Sequence, residues 1–392
     1  MMARRKVKGR ANGEGSIYEY PDGSGRWFAS ITIDGKEKRR RASSQKEARE
    51  LLRELQESRR AGVSLTKKQP TVREWCESWV KTTPNLRPHI REHYRVNLAR
   101  YLYKTSLSRR RLDALTPAEV QGWVNDLGEM VSPGTVRNVH ARLRRALAVA
   151  VKQGYIPRNV AVGVDLPRSN TRPIIFLDFA QARHLLAVLE GDRLATLYRL
   201  ALNLGMREAE LVGLTWDSID LTAGVLRVVR QLQRIPNHDT EAKSKSVLSL
   251  QPVKTDAGQR TLQLDGNLVA ELRRQRIAQA EERLLLGSAW RDPFMSLGGL
   301  VFTNSTGGPL GPSSLWKSFK SAREAAELPD MRFHDLRHTA ATLMLAAGEP
   351  IAAVSAVLGH SSPAITARVY AHALEESKAT AIAGLSIRLR RG

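Results

Sequence analysis

Cysteine is nearly absent. Cys76 is the only one in 392 residues, so no disulfide can form within the chain, and a reducing compartment is expected. Long apolar runs are missing as well. No stretch approaches the ~18 residues of a membrane-crossing helix, and no signal-peptide core follows the basic start "MMARRKVKGR". A cytoplasmic protein without a membrane partner is expected. Acidic residues are the third shortage: 62 Lys and Arg face 39 Asp and Glu, a formal net charge of +23. Such an excess points to a polyanionic partner, most commonly nucleic acid, although a merely basic protein carries the same sign. No internal repeat divides the chain, and its length predicts two or three domains, each with its own core.

Three segments differ in pattern. In residues 1–62, "SIYEY", "RWFASITI" and "KEKRRRA" read as strands, with Trp27, Ala29, Ile31 and Ile33 alternating onto one face. "PDGSG" and the pair Asp34 and Gly35 supply hairpin turns. A helix follows, opened by Ser44 with Glu47 as a capping box. A ribbon carrying Lys36, Lys38, Arg39, Arg40 and Arg41 could lie in a DNA groove, or it could be a solvated basic edge. Residues 66–168 read as helical and hold the steepest bias, 19 basic against 8 acidic residues. "TPAE" at 116–119 and "SPGT" at 132–135 open two of the helices. In the second, Val136, Val139, Leu143, Ala146, Leu147 and Ala150 form a core stripe. Arg137, His140, Arg144 and Arg145 are expected to point away from it, the arginines toward phosphates. The stretch 156–173 reads as a linker, with three prolines and little periodicity.

Residues 172–392 are mixed. "DFAQARHLLAVLE" is a helix capped by Asp178 and Gln181, and "LYRLALNLGMREAELVGLTW" gives two helices broken near Gly205. "GVLRVVRQL" and "QRTLQL" are strand-like, and the polar stretch 233–252 between them reads as an extended loop. More helices are expected over 312–392. The fold class is therefore multidomain α+β: a three-stranded sheet with a helix, a helical domain, and a mainly α domain with a small antiparallel sheet.

The most concentrated chemistry is "HDLRH" at 334–338. On a helix, Leu336, Ala340, Leu343 and Ala347 form an apolar face, and His334, Arg337 and His338 project together from the other. A helix start favours an anion there. Two histidines four apart also resemble a zinc helix. Against that, Arg337 would repel the metal and no third ligand follows at the expected distance. A structural polar patch is the remaining alternative. "GMREAEL" offers a second cation, Arg207, with Glu210 three residues on. Two planar guanidiniums can hold both non-bridging oxygens of a phosphodiester. In "VLGHSSPAITARVYAHAL", Gly359 stops a helix, His360 follows it, and Tyr370 lies on the next, with His372 nearby. A tyrosine with a pKa near ~10 needs a neighbouring base and cationic surroundings to attack phosphorus.

Together, "GMREAEL", "HDLRHTAATLML", "LGHSS" and "ITARVYAHA", in that order, resemble the tyrosine recombinase (phage integrase) family. The likeness spans essentially all of 172–375. Residues 66–168 look like the family's core-site-binding domain and 1–62 like its arm-site-binding domain. The resemblance implies that Arg207 and Arg337 bind the scissile phosphate and that His334 is the general base or acid. It implies that His360 hydrogen-bonds a non-bridging oxygen, and that Tyr370 forms a 3′-phosphotyrosyl bond. Glu210 and His338 would be supporting residues. The family's general-acid lysine would be Lys254, with Lys243 and Lys245 as alternatives. It further implies no metal or other cofactor, and duplex DNA with core and arm attachment sites as partner. A homotetramer would act through a Holliday junction, with an accessory bending or excision factor possible. The tail after Tyr370 would dock on a neighbouring copy or on its own domain. Competing readings are a type IB topoisomerase, which shares the chemistry, a catalytically silent DNA-binding regulator, and a metallohydrolase.

Overall fold

A computed structural model describes residues 14–33, 36–60, 69–168, 173–237, 244, 246–253 and 256–370. The chain divides into two compact units, Met1–Thr171 and Arg172–Gly392. It is multidomain α+β, and among the described residues no helix is long and apolar enough to cross a membrane.

The first unit begins with three antiparallel strands, β1 (Ser16–Glu19), β2 (Trp27–Ile33) and β3 (Lys36–Ala42), covered by α1 (Gln45–Arg60). The expected alternation holds where it is described, since Ala29 and Ile31 are buried against Leu52 and Leu55 of α1. Asp34 and Gly35 lie outside the described residues. The cap of α1 differs by one residue from expectation. The Ser44 hydroxyl does accept from the Glu47 N–H, but the Glu47 carboxylate reaches back to Ser43. In β3, Lys38 pairs opposite Ile31 and Arg40 opposite Ala29, so both stand on the helix-covered face. Arg40 meets Glu54 of α1 at 3.6 Å. Arg39 and Arg41 stand on the opposite face with Tyr18 and Phe28. Lys38, Arg39, Arg40 and Arg41 therefore divide between two faces.

Among the described residues, four further α-helices belong to this unit: α2 (Val72–Thr82), α3 (Pro88–Tyr101), α4 (Pro117–Met130) and α5 (Pro133–Lys152). Thr116 and Glu119 form the expected box, and Ser132 caps α5. The α5 stripe from Val136 to Ala150 is buried; truncating a member such as Leu143 to alanine costs about 2–5 kcal/mol. The Trp75 indole N–H donates to the Ala146 carbonyl at 2.8 Å, which locks α2 to α5. Two expectations fail here. His140 points into the core, where its Nε2–H donates to the Ala161 carbonyl at 3.0 Å. Residues 156–168 are not a free linker. Ile156, Val160 and Ala161 join the same core, and the Arg137 guanidinium donates to the Pro167 carbonyl at 2.8 Å. Proline had hidden apolar residues spaced for packing rather than for a helix.

The second unit opens with α6 (Phe179–Val188), α7 (Ala195–Leu204) and the single turn α8 (Glu208–Leu211). Asp178 and Gln181 form the α6 box. The region read as two strands with a loop between them is richer. It holds β4 (Ile219–Asp220), β5 (Val225–Val228), β6 (Arg230–Pro236), β7 (Ser246–Pro252) and β8 (Arg260–Gln263). β4, β5 and β8 form one antiparallel sheet, and β6 with β7 a separate hairpin. The described residues of the 233–252 stretch are thus largely a ribbon, and most of its side chains are half-exposed, which is why the sequence looked like a loop. Then come α9 (Gly266–Leu286), α10 (Pro312–Ala325), α11 (Asp335–Ala346), α12 (Ile351–Leu358) and α13 (Pro363–Val369).

Candidate active site

Two left-handed glycines build the pocket. Gly205 (φ 56°) ends α7 and Gly359 (φ 67°) ends α12. Each lets the chain turn sharply and leaves the helix's last carbonyls without helical partners. Those carbonyls receive arginines. Arg337 donates from Nη1 to the Gly205 carbonyl at 2.7 Å and from Nη2 to the Leu358 carbonyl at 2.8 Å. Arg207 donates from Nη2 to the Gly359 carbonyl at 3.2 Å. Helix C-termini carry the negative dipole end, so they hold cations without a carboxylate to cancel the charge.

Arg337 is only 3% exposed. The two-face reading of α11 therefore needs correction. Arg337 lies within the core beside Leu336 and Ala340, while Ala347, expected inside, is exposed. The helix is wedged between α7 and α12, so most of its circumference is covered. Burial, then the positive charge of Arg207, pushes the Arg337 guanidinium down to about 9, so it is still cationic at neutral pH.

Arg207 is the open member, with 38% of its side chain exposed. Its Nη1 donates to Glu210 Oε1 at 2.7 Å, and its backbone N–H donates to Oε2 at 3.0 Å. Glu210, 2% exposed, also accepts from Arg260 Nη2 at 2.9 Å. Although burial alone would raise the Glu210 carboxyl, its bonds and charges with Arg260 and Arg207 hold it below its ordinary value. Among the described residues, Arg207 and Arg260 share the Glu210 carboxylate and Arg337 sits on backbone carbonyls, so the three guanidiniums and one carboxylate leave an excess of two positive charges that suits an anion.

Arg260 was missed by the sequence reading. A signal was there: it shares strand parity with Leu262 and Leu264, which face inward. A charged residue at an inward position requires a buried partner.

The nucleophile candidate closes the pocket. Tyr370 caps the end of α13 rather than lying within it, and is 1% exposed. Its hydroxyl lies 2.9 Å from His338 Nδ1, and the rings sit 5.6 Å apart. Burial pushes the Tyr370 hydroxyl up to about 12, and Arg337 pulls the other way. At that value on the order of one hydroxyl in 10⁵ ionises at pH 7. Burial also lowers His338, which keeps its imidazole neutral and able to accept the proton at Nδ1. His334, the residue first expected as base, packs edge-on against His338 with centroids 5.2 Å apart. It is pushed to about 4 by the protein crowded behind its exposed edge, then by its neighbours His338 and Arg337. His360 Nδ1 is fixed 2.8 Å from the Thr366 hydroxyl, and burial followed by the charges of Arg337 and Arg207 pushes it to about 4.

The pocket thus gathers Arg207, Glu210, His334, Arg337, His338, His360 and Tyr370, as the motifs suggested. Asp335 is turned away and paired with Arg332 at 2.7 Å. Among the described residues, no group of three or more His, Cys, Asp or Glu is placed to share a metal ion. Lys254, Lys243 and Lys245 lie outside the described residues, as do His372 and the tail. In the first unit, Arg137, Arg144 and Arg145 are exposed on α5, and Arg145 reaches the Tyr94 hydroxyl at 3.5 Å.

Residues 176–377 match the model of the phage integrase family. The chain is 28% identical over 353 residues to a tyrosine recombinase XerC-like protein of Caldanaerobacter subterraneus subsp. tengcongensis, covering 88% of this chain and 90% of that one. It is similar in fold to the Tn1549 transposon integrase in complex with a circular intermediate DNA, with a TM-score of 0.65 and 22% identity, over 81% of this chain and all of that one. It is also similar to lambda integrase in a tetramer bound to a Holliday junction, with a TM-score of 0.54 and 16% identity, over 92% and 96% of the two chains.

Proposed function

The chain belongs to the phage integrase family and is a tyrosine-type site-specific recombinase that binds, cleaves and rejoins DNA; on that premise we propose that it is the integrase of a prophage or an integrative or conjugative element, with Tyr370 as nucleophile. The carrying observation is that hydroxyl, proton acceptor and phosphate-binding cation share one pocket, with Tyr370 Oη on His338 Nδ1 and Arg337 next in sequence.

In this scheme Arg207 and Arg337 hold the two non-bridging oxygens of the scissile phosphate, and His360 donates to one of them. Tyr370 passes its proton to His338, attacks phosphorus, and forms a 3′-phosphotyrosyl bond as the bond to the 5′ oxygen breaks. The departing 5′ oxygen takes a proton from Lys254, with Lys243 or Lys245 as the alternative donor. His334, stacked on His338, is the second imidazole on the proton path. The guanidinium pair supplies charge where the transition state gathers it, so the step needs no metal. The phosphotyrosyl bond retains the energy of the cut strand, and the reverse attack by a 5′ hydroxyl reseals it.

Residues 1–62 would serve as the arm-site domain, using Arg39 and Arg41 on the uncovered face, with Lys36, Lys38 and Arg40 nearby. Residues 66–168 would grip the core site through Arg137, Arg144 and Arg145, and residues 172–392 would carry the catalysis. The lambda integrase tetramer on a Holliday junction supports four copies of this chain exchanging strands through such a junction. An accessory bending or excision factor would set direction, and the cytoplasm would be the place of action. A nicked suicide duplex carrying the element's own attachment junction tests the reading: it traps a covalent adduct with the native chain. Tyr370→Phe abolishes the adduct and keeps DNA binding. An adduct that survives this change places the nucleophile elsewhere.

A further inference from the structure

Arg260 stands at the back of the pocket, and every nitrogen of its guanidinium is engaged by protein. Nε donates to the Val357 carbonyl at 2.6 Å, Nη1 to the Gly258 carbonyl at 3.1 Å and Nη2 to Glu210 at 2.9 Å. Its side chain is 7% exposed, and with all three guanidinium nitrogens already bonded to protein its role runs through Glu210 rather than through direct contact with phosphate. It stitches three pieces together: the start of β8, the last turn of α12, and Glu210 on α8. The fit is close. A Cβ on Gly359 would stand 3.0 Å from Arg260 Nη1 and 2.8 Å from the Ala257 carbonyl. The next residue after that glycine is His360.

The electrostatic consequence concerns Arg207. A lone Arg207–Glu210 pair would be neutral, and the carboxylate would oppose the very charge it orients. With Arg260 on Oε2, Glu210 is shared, and the Arg207–Glu210–Arg260 triad keeps a net positive charge. Without Arg260, a nearly inaccessible carboxylate would turn its full charge toward Arg207.

We propose that Arg260 is a positioning residue of the strand-cleavage reaction: through Glu210 it fixes the Arg207 guanidinium and leaves its charge available to the scissile phosphate. The proposal rests on the recombinase reading of this pocket. It makes Arg260 and Glu210 one functional unit, and units of that kind do not add when their members are removed.

The test uses the full-length chain and the nicked suicide duplex described above. Single-turnover adduct formation at saturating protein, the DNA dissociation constant and thermal unfolding are measured for Arg260→Gln, Glu210→Gln, the double variant and Arg260→Lys. Rates are normalised to the DNA-binding fraction, which removes any loss of folded protein. The expected result is a fall of at least ~10-fold in rate for Arg260→Gln, with the dissociation constant within ~2-fold. The double variant stays within ~3-fold of the slower single change, and Arg260→Lys, which can still meet Glu210, recovers much of the rate. Single effects that multiply in the double variant would overturn the proposal, as would a normalised Arg260→Gln rate equal to the native one. If the native chain itself forms no adduct, the recombinase reading falls and this proposal with it. A native adduct alongside an unimpaired Arg260→Gln sinks the proposal alone.

Discussion

Arg337 and Arg39 are the same residue type under opposite conditions. Arg337 is buried in the second unit, and two helix-end carbonyls hold its guanidinium. Arg39 lies exposed on β3 in the first unit, resting over Phe28 at 5.1 Å and reaching the Tyr18 hydroxyl at 3.3 Å. A buried cation is oriented before the substrate arrives, so its full charge meets a phosphate in a place of low dielectric. An exposed cation is screened and mobile, and contributes mainly to non-specific attraction. The contrast teaches that the +23 charge has two uses in this chain: a few fixed charges for chemistry and many soft ones for holding a polyanion.

The largest expected effect breaks the comparison at its buried end. Arg337→Ala should lower single-turnover cleavage by at least ~10³-fold. Arg39→Ala and Arg41→Ala should leave cleavage of an isolated core site within ~2-fold; in titrations on longer DNA, each should flatten the log–log salt dependence of binding by ~1. Equal cleavage defects from both ends would erase the distinction.

A second, intermediate effect concerns the backbone that presents the carbonyls. Gly359→Ala forces an alanine to φ 67° and toward the Ala257 carbonyl, and should cost about 1–3 kcal/mol in denaturant unfolding. Gly122→Ala, in the exposed face of α4 with open space around it, should instead stabilise by about 0.5–1 kcal/mol. Two glycine substitutions of opposite sign would sharpen the difference between a pocket glycine and a helix-surface glycine.

The smallest effect is acid sensitivity. His334 and His360 fall from an ordinary 6.5 to about 4. Between those values the unfolded chain binds more protons than the folded one, so stability is complete above about 6.5 and is lost as pH falls toward about 4. Thermal unfolding should therefore occur at lower temperature at pH 5 than at pH 7.5. Bound DNA supplies phosphate charge and should weaken this dependence; a pH-independent melting temperature without DNA would count against the lowering of these two imidazoles.

Much of this was legible locally. The boxes at Thr116 with Glu119 and Asp178 with Gln181, and the breaks at Gly205 and Gly359, are each set by a few neighbouring residues. The pocket's membership was legible because its motifs carry charge among apolar neighbours. What local pattern could not give was direction. A helical wheel groups Arg337 with His334 and His338, away from the face of Leu336, Ala340 and Leu343, but α7 and α12 cover both sides of α11 and draw the guanidinium inward. Likewise His338, rather than His334, reaches Tyr370, because Tyr370 packs in one cluster with Ala341 and Leu345, which follow the second histidine on α11. The β6–β7 hairpin escaped notice since a half-exposed ribbon has no consistently buried face to produce strong alternation. Arg260 escaped because its partners, Glu210 and Val357, are 50 and 97 residues away in the chain.

The central claim is that an oriented guanidinium meets the negative charge of the scissile phosphate. Arg207 tests it best, because it is the partly exposed member and its removal leaves Glu210 paired with Arg260. The decisive measurement compares single-turnover cleavage by Arg207→Ala and the native chain on two duplexes. One carries a normal scissile phosphate, and the other a methylphosphonate with one charged oxygen replaced. The account predicts a defect of ~10²–10³-fold on the normal duplex that shrinks below ~10-fold on the neutral one. The same large defect on both duplexes would contradict it, because the arginine's role would then be independent of phosphate charge.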